Sequence, residues 1–225
     1  EMHNIPPFRT ILQKGFGGVR AEVADALARC PTDDPAGHKQ LESALLGLDT
    51  IHAVQLKFAE EAQRLLSQSG NLPVRHSDYL RRIADAARRC PWEPPQTFYE
   101  GLNTLWFARE ILGLVEGLSN CSVGRPDAML IGLYEADLAA GRLTREEARD
   151  LVARFLVIGD CHDNGTDVID SYADGEVDLP LTLGGCDAEG RPLDNELTEM
   201  FLDAHIGCDC LRPKLHCRVS QNSPK

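Results

Sequence analysis

Two short strand-like runs near the carboxyl end, VDLPLTLGG (177–185) and PKLHCRVS (213–220), enclose a helix-like run, and this order constrains the fold more than any other feature. Each strand run is bounded by Pro or Gly, and the second alternates Leu215, Cys217 and Val219 with polar neighbours. Between them, CDAEGRPLDNELTEMFLDAH begins as a turn and then places Leu197, Met200, Phe201 and Ala204 at helical spacing. Strand, helix, strand in that sequence is the building unit of α/β folds and suits a barrel.

The rest of the chain reads as helix. From about Gly37 to Ser69, Leu41, Leu45, Leu48, His52, Ala59, Ala62 and Leu66 fall on one helical face, which predicts a long helix packed along one side, with His52 as a satisfied core histidine. In CPWEPPQTFYEGLNTLWFAREIL the prolines end whatever precedes them, and Thr97 with Glu100 forms a capping-box pattern that starts a new helix. Phe98, Leu102, Leu105, Trp106 and Leu112 then mark its core face, so these aromatics serve packing and not base stacking. Thr144 and Glu147 repeat the capping pattern, with Ala148, Leu151, Val152 and Phe155 as the buried stripe behind it. There is no internal repeat and no dividing linker, so one domain, or part of one, is the simplest organisation.

Composition narrows the function. A chain of 225 residues with 43% hydrophobic content can bury a sizeable core. Its formal net charge of -12 disfavours nucleic acid and anionic membrane surfaces as partners, because no basic cluster is available to displace counterions. No apolar run reaches the roughly 18 residues needed to span a bilayer, and EMHNIPPFRT lacks the features of a signal peptide, so a cytoplasmic location is expected. The 8 cysteines lack a disulfide framework. His205, Cys208, Cys210, His216 and Cys217 form the one local cluster of soft ligands, but their irregular spacing favours inert thiols over zinc, and no metal is expected. G-x-G-x-x-G, Walker and G-x-S-x-G patterns are absent from the sequence.

Three longer stretches, PPQTFYEGLNTLWF, SVGRPDAMLIGLYEADLAAGRLTREEA and LTLGGCDAEGRPLDNELTEMFLDA, resemble the pyruvate formate-lyase-like glycyl radical enzymes in wording and in order. The likeness runs from MHNIPPFRTILQKGFGGV to RPKLHCRVSQNSP, nearly the whole chain. It implies an α/β fold: a predominantly helical, incomplete part of a ten-stranded β/α barrel, with residues 1–225 as a partial domain of this type and the C-terminal glycyl radical domain absent. In such enzymes one buried loop carries a thiyl-forming cysteine and another carries the glycine that stores the radical. Neither motif occurs in this sequence, so the chain reads as a fragment that is itself inactive, and no catalytic residue is assigned. Cys186, in GCDAEG with Glu189, falls in the ordinary turn after a barrel strand.

The resemblance also implies roles for particular residues. Ser119 and Asn120 stand where dehydratase members present a polar pair to the substrate; capping a turn is the alternative for both. His3 resembles the histidine of a Gly-His segment beside bound substrate, although Met2 stands in place of the glycine. Asp178 aligns near a pocket aromatic of pyruvate-cleaving members. Arg125 and Asp127 belong to a Gly-Arg-x-Asp element expected to lock the turn before its helix by charge-assisted hydrogen bonds, a structural duty. Pro126 and Ala128 replace an aromatic and a glutamine carried by many relatives.

The expected parent is a glycyl radical lyase or transferase of anaerobic metabolism acting on a small oxygenated metabolite. Its reaction is either carbon–carbon lysis of the formate acetyltransferase type or carbon–oxygen elimination of the diol dehydratase type. It binds no cofactor of its own. Its radical is installed by a separate activating enzyme that uses S-adenosylmethionine and an iron–sulfur cluster, and the full-length protein is expected to be a homodimer. A stand-alone helical interaction module, stabilised by zinc at Cys208 and Cys210, is the alternative of a different class.

Overall fold

The computed structural model describes residues 6–68, 73–116, 122–161, 180–210, 212–219 and 221–223. Seven helices and two strands are described: α1 (Phe8–Ala28), α2 (Pro35–Gln68), α3 (Val74–Arg89), α4 (Phe98–Glu116), α5 (Pro126–Ala139), α6 (Arg145–Cys161), β1 (Leu181–Gly184), α7 (Glu196–Cys208) and β2 (Leu215–Arg218). None of the described helices is long and apolar enough to cross a membrane. The chain forms two compact units, one of Arg9–Pro95 and one of Gln96–Lys225 with Glu1–Phe8.

In the first unit, α3 packs along α2. Ala59 and Ala62 of the expected α2 face are buried and the rest of it is half-buried, and beside them stands Gln55, which apolar periodicity passes over. Gln55 is fully buried because its amide does two jobs: Nε2 donates to the Ala87 carbonyl at 2.8 Å and Oε1 accepts the Trp92 amide at 2.8 Å. Trp92 in turn holds α1. Its carbonyl accepts the Gly17 amide at 2.9 Å, and the neighbouring Pro91 carbonyl accepts that of Phe16 at 2.9 Å. The close approach is possible because Gly15 kinks α1 at φ 66°, where a Cβ would stand 2.1 Å from the Trp92 oxygen. The His52 ring lies against Trp92 as a packing histidine, and Arg20 of α1 pairs with Asp49 of α2 at 2.5 Å.

In the second unit, α4 packs on α5 and α6, α6 on α7, and α5 on both β1 and α7. Thr97 starts α4: its hydroxyl accepts the Glu100 amide at 3.2 Å, while the Glu100 carboxylate takes the amide of Gln96 at 2.7 Å, one residue earlier than a regular capping box. The second box is complete, with Glu147 accepting the Thr144 amide at 2.8 Å and Thr144 accepting that of Glu147 at 3.2 Å. Phe98, Leu102 and Leu105 are buried as expected, as are Ala148, Leu151, Val152 and Phe155. Trp106, Phe155 and Phe201 meet edge to face and tie α4, α6 and α7 together. At the end of α5, the buried Asp137 accepts the Phe98 amide at 2.7 Å and the Arg142 Nε at 2.8 Å.

The strand–helix–strand reading holds. β1 and β2 are parallel, with Leu181 opposite Leu215 and Gly184 opposite Arg218, and α7 is the crossover between them. Leu181 and Leu183 are buried, and the α7 face of Leu197, Met200, Phe201 and Ala204 is buried too. The alternation in β2 gives the strand but not a buried face. Cys217 is exposed and Val219 is 81% exposed, because no described element covers that side.

Candidate functional site

The described part of the site is the frame around the carboxyl end of β1. On the edge of β1 away from β2, the segment 122–124 runs parallel to it through a bridge between Gly124 and Leu181. The Thr182 amide donates to the Gly124 carbonyl at 2.8 Å, and the Ser122 hydroxyl and Val123 amide both reach the Pro180 carbonyl, at 3.2 and 3.3 Å. The order across the frame is therefore 122–124, β1, β2.

Behind this frame lies Asp127, the second residue of α5, with no exposed surface. Its Oδ1 accepts the Ala128 amide at 2.7 Å. Its Oδ2 accepts both the Gly184 amide at 2.7 Å and the Thr198 hydroxyl at 2.8 Å. The start of α7 faces the same point. Asn195 caps that helix, its side-chain oxygen accepting the amides of Leu197 at 2.9 Å and Thr198 at 3.3 Å, while its Nδ2 reaches the Asp127 carbonyl at 3.4 Å. The chain leaves β1 through Gly184 and Gly185, both at positive φ. A Cβ at Gly184 would come within 2.5 Å of the Asp194 carboxylate.

Arg125, the other charged residue of the motif, is placed differently. It stands at the N-cap of α5 without a capping side-chain bond, and its Nε and Nη2 are buried with no hydrogen-bond partner. Among the described residues, the bonds that tie this turn to its neighbours are made by Asp127, toward which the strand end and the α7 hydroxyl point. A guanidinium has no acceptor of its own to offer them.

Beside the frame, Arg145 at the start of α6 pairs with Glu196 at the start of α7 at 2.6 Å. Arg145 hydrogen-bonds the Glu196 carboxylate and holds it below its usual range. Burial, followed by the nearby Glu196, pushes the Tyr134 hydroxyl of α5 up to about 12. Cys186 sits in a turn that Asp187 organises by accepting the amides of Glu189 at 3.0 Å and Arg191 at 2.8 Å.

His3, Ser119, Asn120 and Asp178 lie outside the described residues. Among the described residues, no group of three or more His, Cys, Asp or Glu is placed to hold a metal ion. Cys208 and Cys217 are exposed, Cys210 is buried, and His205 Nε2 lies 3.0 Å from the Pro213 carbonyl oxygen. Sequence reasoning passed over Asn195 and Thr198. Their N-x-x-T spacing ahead of an apolar run was the available signal.

Residues 1–225 match the family described as pyruvate formate lyase-like along their full length. The chain belongs to this family. It is 26% identical over 231 residues to the isethionate sulfite-lyase of Nitratidesulfovibrio vulgaris, across 97% of this chain and 27% of that protein. It is 30% identical over 169 residues to the indoleacetate decarboxylase of Tractidigestivibacter scatoligenes, across 74% of this chain and 19% of that one. A solved structure described as 1,2-propanediol dehydration in Roseburia inulinivorans superposes with a TM-score of 0.88 at 26% identity, covering 97% of this chain and 28% of that one. The described helices and strands are thus an incomplete portion of the glycyl radical enzyme fold, and the chain spans 27% of the length of the sulfite-lyase it matches.

Proposed function

We propose that this chain supplies part of the pocket wall of a larger glycyl radical lyase that eliminates a heteroatom group from a small oxygenated metabolite, with dehydration as the first choice. The observation that carries this reading is the superposition on the propanediol-dehydrating enzyme over 97% of the chain. Carbon–carbon cleavage is the second reading, favoured by the likeness to the decarboxylase.

In the first reading, Ser119 and Asn120 hydrogen-bond the substrate. The residues that follow them, Ser122 and Val123, bond to Pro180, which stands two positions beyond Asp178. His3 is the second polar group offered to the substrate, and its imidazole orients or exchanges a hydroxyl proton. Hydrogen abstraction belongs to a cysteine and a glycine whose motifs this sequence does not contain, so the 225 residues alone do not turn over substrate. The parent acts as a cytoplasmic homodimer and takes its radical from a separate activating enzyme.

The test uses the full-length gene product, activated anaerobically. Spin resonance should detect a glycyl radical, and incubation with 1,2-propanediol, glycerol, isethionate and indoleacetate should give an aldehyde from a diol. Absence of a radical after activation sinks the radical reading. Carbon dioxide from indoleacetate with no aldehyde from 1,2-propanediol or glycerol replaces the first reading by the second.

A further inference from the structure

We infer that Asp127 is a positioning residue, the buried carboxylate that sets where the carboxyl end of β1 lies against the start of α7 and against the segment 122–124. The inference rests on the radical-lyase reading for its catalytic consequence, and on geometry for the rest.

The direction of each hydrogen bond is fixed. Thr198 Oγ1 already accepts the Asn195 amide at 3.1 Å, so its own proton goes to Asp127 Oδ2 at 2.8 Å. Gly184 and Ala128 reach the same carboxylate through amides, which only donate. Asp127 therefore meets three donors. Its negative charge faces the first turns of two helices, since Asp127 is the second residue of α5 and Thr198 the third of α7. A charge held in this way depends on the position of every donor, because a buried carboxylate that loses one of them stays desolvated and under-satisfied.

What the carboxylate holds is the exit of β1. Gly184 is the last residue of β1, its amide is bound to Asp127, and the Gly184–Gly185 turn is hemmed in by Asp194 and Arg218. The other edge of β1 is bonded to 122–124, the segment that follows Ser119 and Asn120 in sequence. A shift at Gly184 is thus carried one bridge away to 122–124, the segment that follows in sequence the two residues to which pocket contacts are assigned. A small displacement beside a substrate pocket is costly for chemistry.

The test uses the activated full-length protein with four variants: Asp127→Asn, Thr198→Val, Thr198→Ser and Asp137→Asn. The last removes a buried carboxylate from the other end of α5 and serves as a stability control. Radical content, turnover per radical and melting temperature are measured on each. Asp127→Asn should lose on the order of 10 to 100-fold in turnover per radical and Thr198→Val about 10-fold, since each removes hydrogen bonding at a buried charge. Thr198→Ser, which keeps the donor, should stay within about twofold, as should Asp137→Asn even where its melting temperature falls. Parent-like turnover per radical in Thr198→Val overturns the inference, as does an equal loss in Asp137→Asn. If Asp127→Asn is insoluble, the Val and Ser pair at Thr198 decides. Exchange of the Gly184 amide separates the two hypotheses, because it needs no chemistry. It should be about 10-fold faster or more in Thr198→Val than in the parent. If no radical forms in the unmutated protein, the radical-lyase reading fails alone and the exchange result still decides the positioning.

Discussion

His52 lies flat on Trp92, with ring centroids 3.9 Å apart and planes 8° from parallel. The stack covers the tryptophan whose backbone holds Gly17 of α1 and Gln55 of α2, so it closes the junction of three segments. His52→Ala should destabilise the Arg9–Pro95 unit by about 0.5–1.5 kcal/mol beyond the loss of buried area. Denaturant unfolding followed by tryptophan fluorescence measures it, and an unchanged midpoint would remove the stack from the account of this junction.

Gln55→Leu fits the volume but not the chemistry. It strands the Trp92 amide and the Ala87 carbonyl, both now satisfied by one side chain. Each orphaned group costs roughly 1–3 kcal/mol, so a loss of about 2–6 kcal/mol is expected. A neutral or stabilising leucine would mean that water reaches these groups.

Tyr134 gives an alkaline signature. Its hydroxyl stands at about 12, above the ordinary value of 10.0, so folding favours the neutral phenol. That contribution is constant below pH of about 10 and is lost as the pH rises through about 12. Denaturation midpoints between pH 9 and 12, as order-of-magnitude limits, should fall less steeply in Tyr134→Phe than in the parent. Parallel curves would count against it.

Asp187 gives the acid counterpart. The backbone amide of Arg191 is the largest cause holding its carboxyl below the usual range, with the Arg191 side chain and the Glu189 amide adding to it. Stability from this turn is therefore present above the unfolded value near 3.9 and is lost as the pH falls through the lower folded value. Asp187→Asn should flatten the stability profile below pH of about 4, read by exchange of the Glu189 and Arg191 amides. An identical acid limb in the two proteins would contradict it.

In the full-length parent, Asn120→Ala should lower kcat/KM by the order of 10 to 100-fold at unchanged radical content, the worth of one buried polar contact to substrate. Equal turnover per radical across every accepted substrate would return Asn120 to an ordinary turn.

Much of the helical frame was legible because capping and apolar spacing are local. Thr144 with Glu147 marked the start of α6, and Leu197, Met200, Phe201 and Ala204 marked the α7 face. What escaped was polar and non-local. Gln55 is buried for the sake of Ala87 and Trp92, and the charge on Asp127 is shared with Gly184 and Thr198, whose distance along the chain hides the contact. Arg125 and Asp127 stand together in one motif, and only the folded chain shows which of them meets the end of β1 and the start of α7. The alternation in β2 foretold a strand, but exposure depends on neighbours that a local pattern does not name.

The parallel register of β1 and β2 has a consequence for error. Leu181 faces Leu215 and Gly184 faces Arg218, so β2 inherits its phase from a strand whose end is pinned at one carboxylate. A slip of one residue at Gly184 would turn every side chain of β1 to the opposite face. Any strand laid against β2 would copy that fault and pass it onward. By holding the Gly184 amide, the Asp127 carboxylate ties the register of the pair to a single buried point.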